Sequence, residues 1–245
     1  MAKHPCAIVR AMDGDADIAT VAAAIGHPAR GAMLTALFGG RALPSSELAR
    51  AARVSRSTAS AHLAQLVETG LVAVERQGRH RYHRLAGAEV AEALETLATL
   101  ATPRPVRSLR ESDRARAERA ARSCYDHVAG ALGVALTDRL CDLGALDRSS
   151  LGLLDARPLH ALGVDPERAR AGRRPLTRSC LDWTERRPHL AGALGAAVLD
   201  ALLSAGWVVR RPGGRALLLT PAGARGLHEA VGLDVAPAPT AAQAA

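Results

Sequence analysis

The stretch VSRSTASAHLAQLVETGLVAVERQGRHRYHRL, residues 54–85, decides the fold. Ser55 stands where a helix N-cap is needed, and Gly70 stands where that helix must stop. Between them Ala59, Leu63, Leu66 and Val67 share one helical face, expected to pack on preceding helices. The other face carries Arg56, Ser57, Thr58, Ser60, His62 and Gln65, polar donors crowded toward the helix N-terminus. Leu71–Glu75 and Arg81–Leu85 alternate as strands around Gln77-Gly78, a hairpin signal with a basic tip.

Upstream, Glu47–Ala52 reads as a short helix opened by Pro44-Ser45-Ser46, with a serine as N-cap. Residues 15–40 read as two helices divided at Gly26-His27-Pro28. Downstream, a helix over Ala88–Ala101 closes the unit, and Thr102-Pro103-Arg104-Pro105 reads as a linker. Short helix, tight turn, longer helix and hairpin is the order of a winged helix-turn-helix. Such a unit offers the N-terminal half of its recognition helix to base edges in the major groove. The amides after Ser55 suit a phosphate. Arg76, Arg79, His80 and Arg81 form a wing for the DNA backbone or minor groove.

The residues His27-Pro-Ala-Arg-Gly-Ala-Met-Leu, Glu47-Leu-Ala, the 54–63 run, Leu66-Val-Glu-Thr-Gly-Leu-Val and Gly78-Arg-His-Arg-Tyr82 resemble an ArsR-type bacterial transcriptional regulator. The resemblance covers about residues 15–101. It implies a homodimer paired through the first and last helices of this unit, an inverted-repeat DNA operator, and repression relieved by an inducer. Two departures matter. The segment Ser45-Ser46-Glu47-Leu48-Ala49 lacks the thiols of the arsenic-sensing members, and the closing helix offers only Glu89, Glu92 and Glu95, without histidine, where zinc-sensing members bind metal. Those glutamates read as a solvated face.

Composition agrees with a DNA partner. The 245 residues carry a net charge of +8, with Lys3 the sole lysine, so the positive charge is guanidinium. The excess is local: residues 41–84 hold eight Arg against three Glu, and residues 102–122 hold seven Arg against three acids. Phe38, Tyr82, Tyr125, Trp183 and Trp207 are the only aromatics, too few for a reader that stacks single-stranded bases. The N-terminus has no apolar signal segment, and Asp200 interrupts the longest apolar stretch, Ala191–Val209, so that stretch reads as a buried helix and no membrane partner is expected. Four cysteines without CxxC spacing fit free thiols in the cytoplasm.

Beyond the linker lies an internal repeat. Arg122-Ser-Cys-Tyr-Asp126 mirrors Arg178-Ser-Cys-Leu-Asp182, and His127-Val-Ala-Gly-Ala-Leu-Gly133 mirrors His189-Leu-Ala-Gly-Ala-Leu-Gly195. The match continues through Asp138/Asp200, Leu140/Leu202 and Gly144/Gly206. Each copy reads helix, glycine, apolar strand pair, helix: the shape of a winged helix without a polar reading face. The expected class is therefore mainly α with small β-hairpins (α+β), an N-terminal winged helix-turn-helix followed by a duplicated winged-helix-like C-terminal domain. The expected divisions are 1–101 for DNA binding and dimerisation, 102–121 for a basic linker and helix start, 122–234 for sensing (repeats 122–165 and 178–234), and a disordered tail over 235–245.

Cys124, Asp126, His127, Cys180, Asp182 and His189 recur in order and are the candidate sensing residues. Cys124 and His127, at i and i+3, would share a helix face, and repeats packed about a pseudo-two-fold axis would bring the two sets together. Thiolate with imidazole suits zinc, a thiophilic metalloid or haem, and two close thiols suit a redox switch. Packing is the plainer reading, since free cysteine is often simply buried. Cys141, facing Leu203 in the second copy, reads as core; His4 and Cys6 could form a mobile ligand arm. Trp183 and Trp207 could instead wall a small-molecule pocket between the repeats. Enzyme signatures (a Ser-His-Asp spacing, a phosphate loop, a zincin helix, a dinucleotide fingerprint) do not appear, so no catalysis is expected. The rival classes are a thiol- or metal-dependent enzyme and an architectural DNA-binding or interaction protein without a sensor.

Overall fold

A computed structural model describes residues 15–102, 105–106, 108–172, 174–212 and 214–238. Two helices open it, α1 (Ile18–Gly26) and α2 (Pro28–Ala36). They divide where expected: Pro28 lacks the N–H that would continue α1, and the His27 ring accepts from Ala29 N to cap α2. Strand β1 (Leu43–Pro44), α3 (Ser45–Ala52), α4 (Arg56–Glu68), β2 (Val72–Gln77), β3 (His80–Leu85) and α5 (Ala88–Leu100) complete the winged helix. Its core joins Met33, Leu34 and Leu37 of the α2 region to Leu48, Ala59, Leu63, Leu66 and Leu85, all buried. Each such leucine contributes about 1.5–3 kcal/mol through removal of its surface from water.

Several boundaries differ from expectation. Helix α3 begins at Ser45, with Pro44 at its cap and no side-chain cap bond. The wing strands run further, to a Gln77↔His80 pair closed by Gly78-Arg79, and β1 adds a third strand through Leu43↔His83, giving the order β1-β3-β2. Val67, expected inward, is 38% exposed because α4 presents only Ala59, Leu63 and Leu66 to the core.

The C-terminal half holds α6 (Leu109–Ala120), β4 (Arg122–Ser123), β5 (Val128–Ala129), α7 (Ala131–Asp142), α8 (Arg157–Ala161) and α9 (Pro166–Arg170). The second copy follows: β6 (Arg178–Leu181), β7 (Pro188–Ala191), α10 (Gly192–Ser204), β8 (Val208–Arg210), β9 (Leu217–Leu219) and α11 (Pro221–Val231). Copies pack on one another through a shared core that includes Leu132, Leu136 and Leu140 of α7 with Leu194, Val198 and Leu202 of α10.

The repeated His-x-Ala-Gly-Ala-Leu-Gly motif has a steric cause. Gly130 and Gly192 precede or open α7 and α10 at φ +79° and +82°, a left-handed turn costly for other residues. Three residues on, a Cβ at Gly133 would sit 2.4 Å from the Val128 carbonyl oxygen, and one at Gly195 would sit 2.6 Å from that of Leu190. Each glycine thus lets a hairpin strand lie against the helix that follows it.

Two further expectations need correction. The chain beyond Gly232 is not free from residue 235: Val235 packs on the C-terminal core, and Ala238 N donates to the Leu219 carbonyl of β9. Trp183 and Trp207 do not share a wall. Trp183 lies near the Arg122 guanidinium, whereas Trp207 packs against Gly226 of α11, where a Cβ would come within 2.3 Å of its ring. Residues 239–245, His4, Cys6 and part of the 102–105 linker lie outside the described residues.

Candidate functional site

The candidate reading surface lies on α4. Ser55 caps it, its hydroxyl accepting from Thr58 N at 3.1 Å and lying 2.9 Å and 2.8 Å from the hydroxyls of Ser57 and Thr58. Arg56, Ser57, Thr58 and Ser60 are exposed on its first turns. His62 and Gln65 are less free than the sequence suggests. Arg30 of α2 donates to Gln65 Oε1 at 2.6 Å while it also holds the carbonyls of Ala23 and Ala24, and the His62 ring centroid lies 4.4 Å from that of His27, the rings tilted by 43°. Partial burial, then the neighbouring His27 and Arg30 charges, push the His62 pKa down. Arg76, Arg79, His80 and Arg81 all stand exposed at the wing.

The six candidate sensing residues divide into two shells. Cys124 and His127 sit at the turn of the β4–β5 hairpin, where Cys124 N donates to His127 O at 3.0 Å. Cys180 and His189 pair directly across the β6–β7 hairpin. The i, i+3 spacing of the first pair is therefore a hairpin turn and not the helix face expected, since Gly130 delays the helix to Ala131. The two hairpins then meet. Cys124 Sγ lies 4.0 Å from Cys180 Sγ, and His127 Nε2 lies 3.1 Å from His189 Nε2. One ligand-type atom from each of the four residues falls within 4.8 Å of the other three, and all four residues are buried.

The aspartates stand behind the imidazoles. Asp126 Oδ1 is 3.4 Å from His127 Nδ1, and Asp126 also pairs with Arg174. Asp182 Oδ2 is 4.0 Å from His189 Nδ1, a buried nitrogen without a hydrogen-bond partner, while it accepts from Gly130 N at 2.6 Å and from Arg122 at 2.9 Å. Burial pulls the His127 imidazolium down, but its hydrogen bonds to Asp126 and Cys124 prevail and raise it to about 9. Burial and then the His127 charge lower His189 to about 3. The contact with Cys180 and then burial push the Cys124 thiol well up. Burial raises the Asp182 carboxyl, yet the Arg122 charge, the Thr184 hydroxyl and the Gly130 amide outweigh it and hold it well below the usual range. The donor set suits a small tetrahedral ion. It does not suit haem, because four donors so close together leave no slot for a flat macrocycle between axial ligands.

Sequence reading missed the residues that tie this cluster to the winged helix. Glu92 and Glu95 of α5 are not a solvated face. Arg178 pairs with Glu92, and fully buried Arg122 approaches Glu95 at 3.4 Å. The equivalent arginines of the two repeats thus grip one face of α5, i and i+3 apart. Arg215 adds a second bond to Glu95 and lies 4.7 Å over the Phe38 ring. Gly39 N donates to Cys124 O at 2.8 Å, and Tyr125 packs on the N-terminal core. The recurrence of arginine two residues before each cysteine was the available signal.

A family model described as a helix-turn-helix domain (HTH_20) matches residues 25–75. Over 211 residues the chain is 40% identical to the HTH-type transcriptional regulator YdfF of Bacillus subtilis, covering 84% of this chain and 93% of that protein. The chain belongs to the ArsR-type winged helix-turn-helix regulators. It is a transcriptional regulator with a DNA-binding domain of that type. An alignment of 211 residues runs well past the winged helix, so YdfF also matches much of the C-terminal half. Among solved structures, the homodimeric winged helix-turn-helix domain of Mb0332 from Mycobacterium bovis is 29% identical, covering 36% of this chain and 89% of that fragment with a TM-score of 0.32. The cadmium sensor CMTR from Mycobacterium tuberculosis is 31% identical, covering 38% and 99% with a TM-score of 0.30. No helix among the described residues is long and apolar enough to cross a membrane.

Proposed function

We propose that this ArsR-type regulator is a homodimeric cytoplasmic repressor whose grip on an inverted-repeat operator changes when the C-terminal half receives a signal. One observation carries the second clause: the arginines of the two Arg-Ser-Cys-x-Asp motifs hold Glu92 and Glu95 of α5, a helix expected to pair in the dimer. A change at Cys124 or Cys180 is therefore two residues from a bond to that helix.

For the dimer, α1 and α5 expose Ile18, Val21, Leu97 and Leu100, apolar side chains that a second copy would cover. For DNA, Arg56, Ser57, Thr58 and Ser60 would meet base edges, with Gln65 and His62 reaching them from their contacts with Arg30. Ser55 and the wing residues Arg76, Arg79, His80 and Arg81 would hold phosphates. The thiol-enzyme reading fits poorly, because Cys124 and Cys180 are buried and the Cys124 thiol is raised, the opposite of an activated nucleophile.

The test is operator binding by the purified chain at two salt concentrations, with its own promoter region and a random duplex. Preference for the promoter is expected, and equal affinity at moderate salt overturns the repressor reading.

A further inference from the structure

We propose that Cys124, His127, Cys180 and His189 form a closed four-coordinate zinc(II) site, two ligands from each copy of the repeat. This deepens the regulator reading above by naming its signal site, and metal binding is measured without DNA, so the two can fail separately.

Four observations converge on a metal. First, the spacing is right. Zn–S bonds of about 2.3 Å and Zn–N bonds of about 2.0–2.1 Å place tetrahedral edges at about 3.8 Å between sulfurs and about 3.3 Å between nitrogens. The corresponding distances are 4.0 Å and 3.1 Å. Second, both histidines present Nε2 to the centre and Nδ1 to a carboxylate, Asp126 at 3.4 Å and Asp182 at 4.0 Å. Metal-bound histidines use this arrangement to fix the ring and its tautomer. His189 Nδ1 is buried without a hydrogen-bond partner, and a lone pair committed at Nε2 would make Nδ1–H a donor aimed at Asp182.

Third, the charges close. Two thiolates neutralise one divalent ion, which lets the group remain buried beside Ala129 and Ala191. Fourth, the donors come from hairpins of different length, three residues from Cys124 to His127 and nine from Cys180 to His189, yet they end as an S₂N₂ set. Two soft and two borderline ligands in this arrangement select zinc over magnesium, calcium or manganese. A cleft lined by Glu92, Tyr125, Asp126 and Arg174 reaches Cys124 and His127 and offers an entry path from beside α5. Binding releases the two thiol protons and the proton of the His127 imidazolium, and leaves the oxidation state of every atom unchanged.

The full-length chain, freed of metal by a chelator under reductant, is titrated with cobalt(II) and then with zinc(II). One cobalt per chain is expected, with the intense visible bands of a tetrahedral ion and thiolate charge-transfer absorption, both abolished by zinc. Cys124→Ser and Cys180→Ser lose the charge-transfer band in part or whole, and Cys141→Ser keeps it. Asp126→Asn retains all four ligands and binds zinc about 10–100-fold more weakly. X-ray absorption on the unmutated zinc-loaded chain, which does not depend on variants folding, reads two sulfur and two nitrogen ligands. Substoichiometric metal, an octahedral cobalt spectrum, unchanged binding in both serine variants, or a Cys124–Cys180 disulfide in the chain before any oxidant is added would overturn the site. Stoichiometric zinc with no change in operator affinity leaves the site standing and removes it as the signal.

Discussion

Glu95 illustrates how one carboxylate can join two halves of a chain. It is 1% exposed and bonds Arg215, with Arg122 at 3.4 Å. Removing its charge leaves two buried guanidiniums with fewer partners, and breaking a buried pair from one side costs about 3–5 kcal/mol. Glu95→Gln should therefore lower the denaturant midpoint by a corresponding amount, whereas a solvated glutamate such as Glu89 should tolerate the same change. Gly195→Ala is a second case. Its new Cβ would meet the Leu190 carbonyl at 2.6 Å and His127 Cβ at 3.1 Å, so about 1–3 kcal/mol of stability should be lost to overpacking. Equal thermal midpoints for the variant and the parent would show that the β7 strand can move aside.

At the scale of elements, the proposed DNA binding divides its labour between α4 and the wing. Arg79→Ala at the hairpin tip should weaken every duplex alike and reduce the log–log salt slope by about 1. Arg56→Ala, on the exposed first turn of α4, should instead reorder the preferred sequences in a selection experiment. Both elements were legible because their signals are local: a cap at Ser55, a glycine at 70, a period of 3.6 and then a period of two. Strand β1 was not, since two residues ending in proline carry no pattern and form a strand only by pairing with His83 and Tyr82. The β4–β5 hairpin was misread for a related reason. A separation of three from Cys124 to His127 fits one turn of helix as well as a tight hairpin, and only the left-handed Gly130 after them decides. The glutamates of α5 were misread because a helical period identifies a polar face without identifying what reaches it. Their partners lie 27 and 86 residues away along the chain.

On the scale of the whole molecule, the arrangement predicts assembly through the winged helix. Leu97 and Leu100 are 46% and 80% exposed on α5, and Ile18 is 74% exposed on α1. Leu97→Glu with Leu100→Glu should convert a dimer to a monomer in sedimentation equilibrium while leaving zinc stoichiometry per chain unchanged. The convergence of the two Cys–His pairs was legible in outline, because duplication alone suggests a symmetric meeting. The distances, and the aspartates behind the rings, required the fold.

The duplication has a consequence for ancestry and concentration. A chain with one copy of the hairpin possesses one thiol and one imidazole, half of a tetrahedral set, and could complete it only by meeting another molecule. Its metal affinity would then fall with dilution. Joining two copies in tandem turns that encounter into a contact within one chain, at an effective concentration fixed by the connecting residues and not by expression level. With the zinc site proposed above, the fused form would bind its metal with an affinity independent of how many copies of the chain the cell contains.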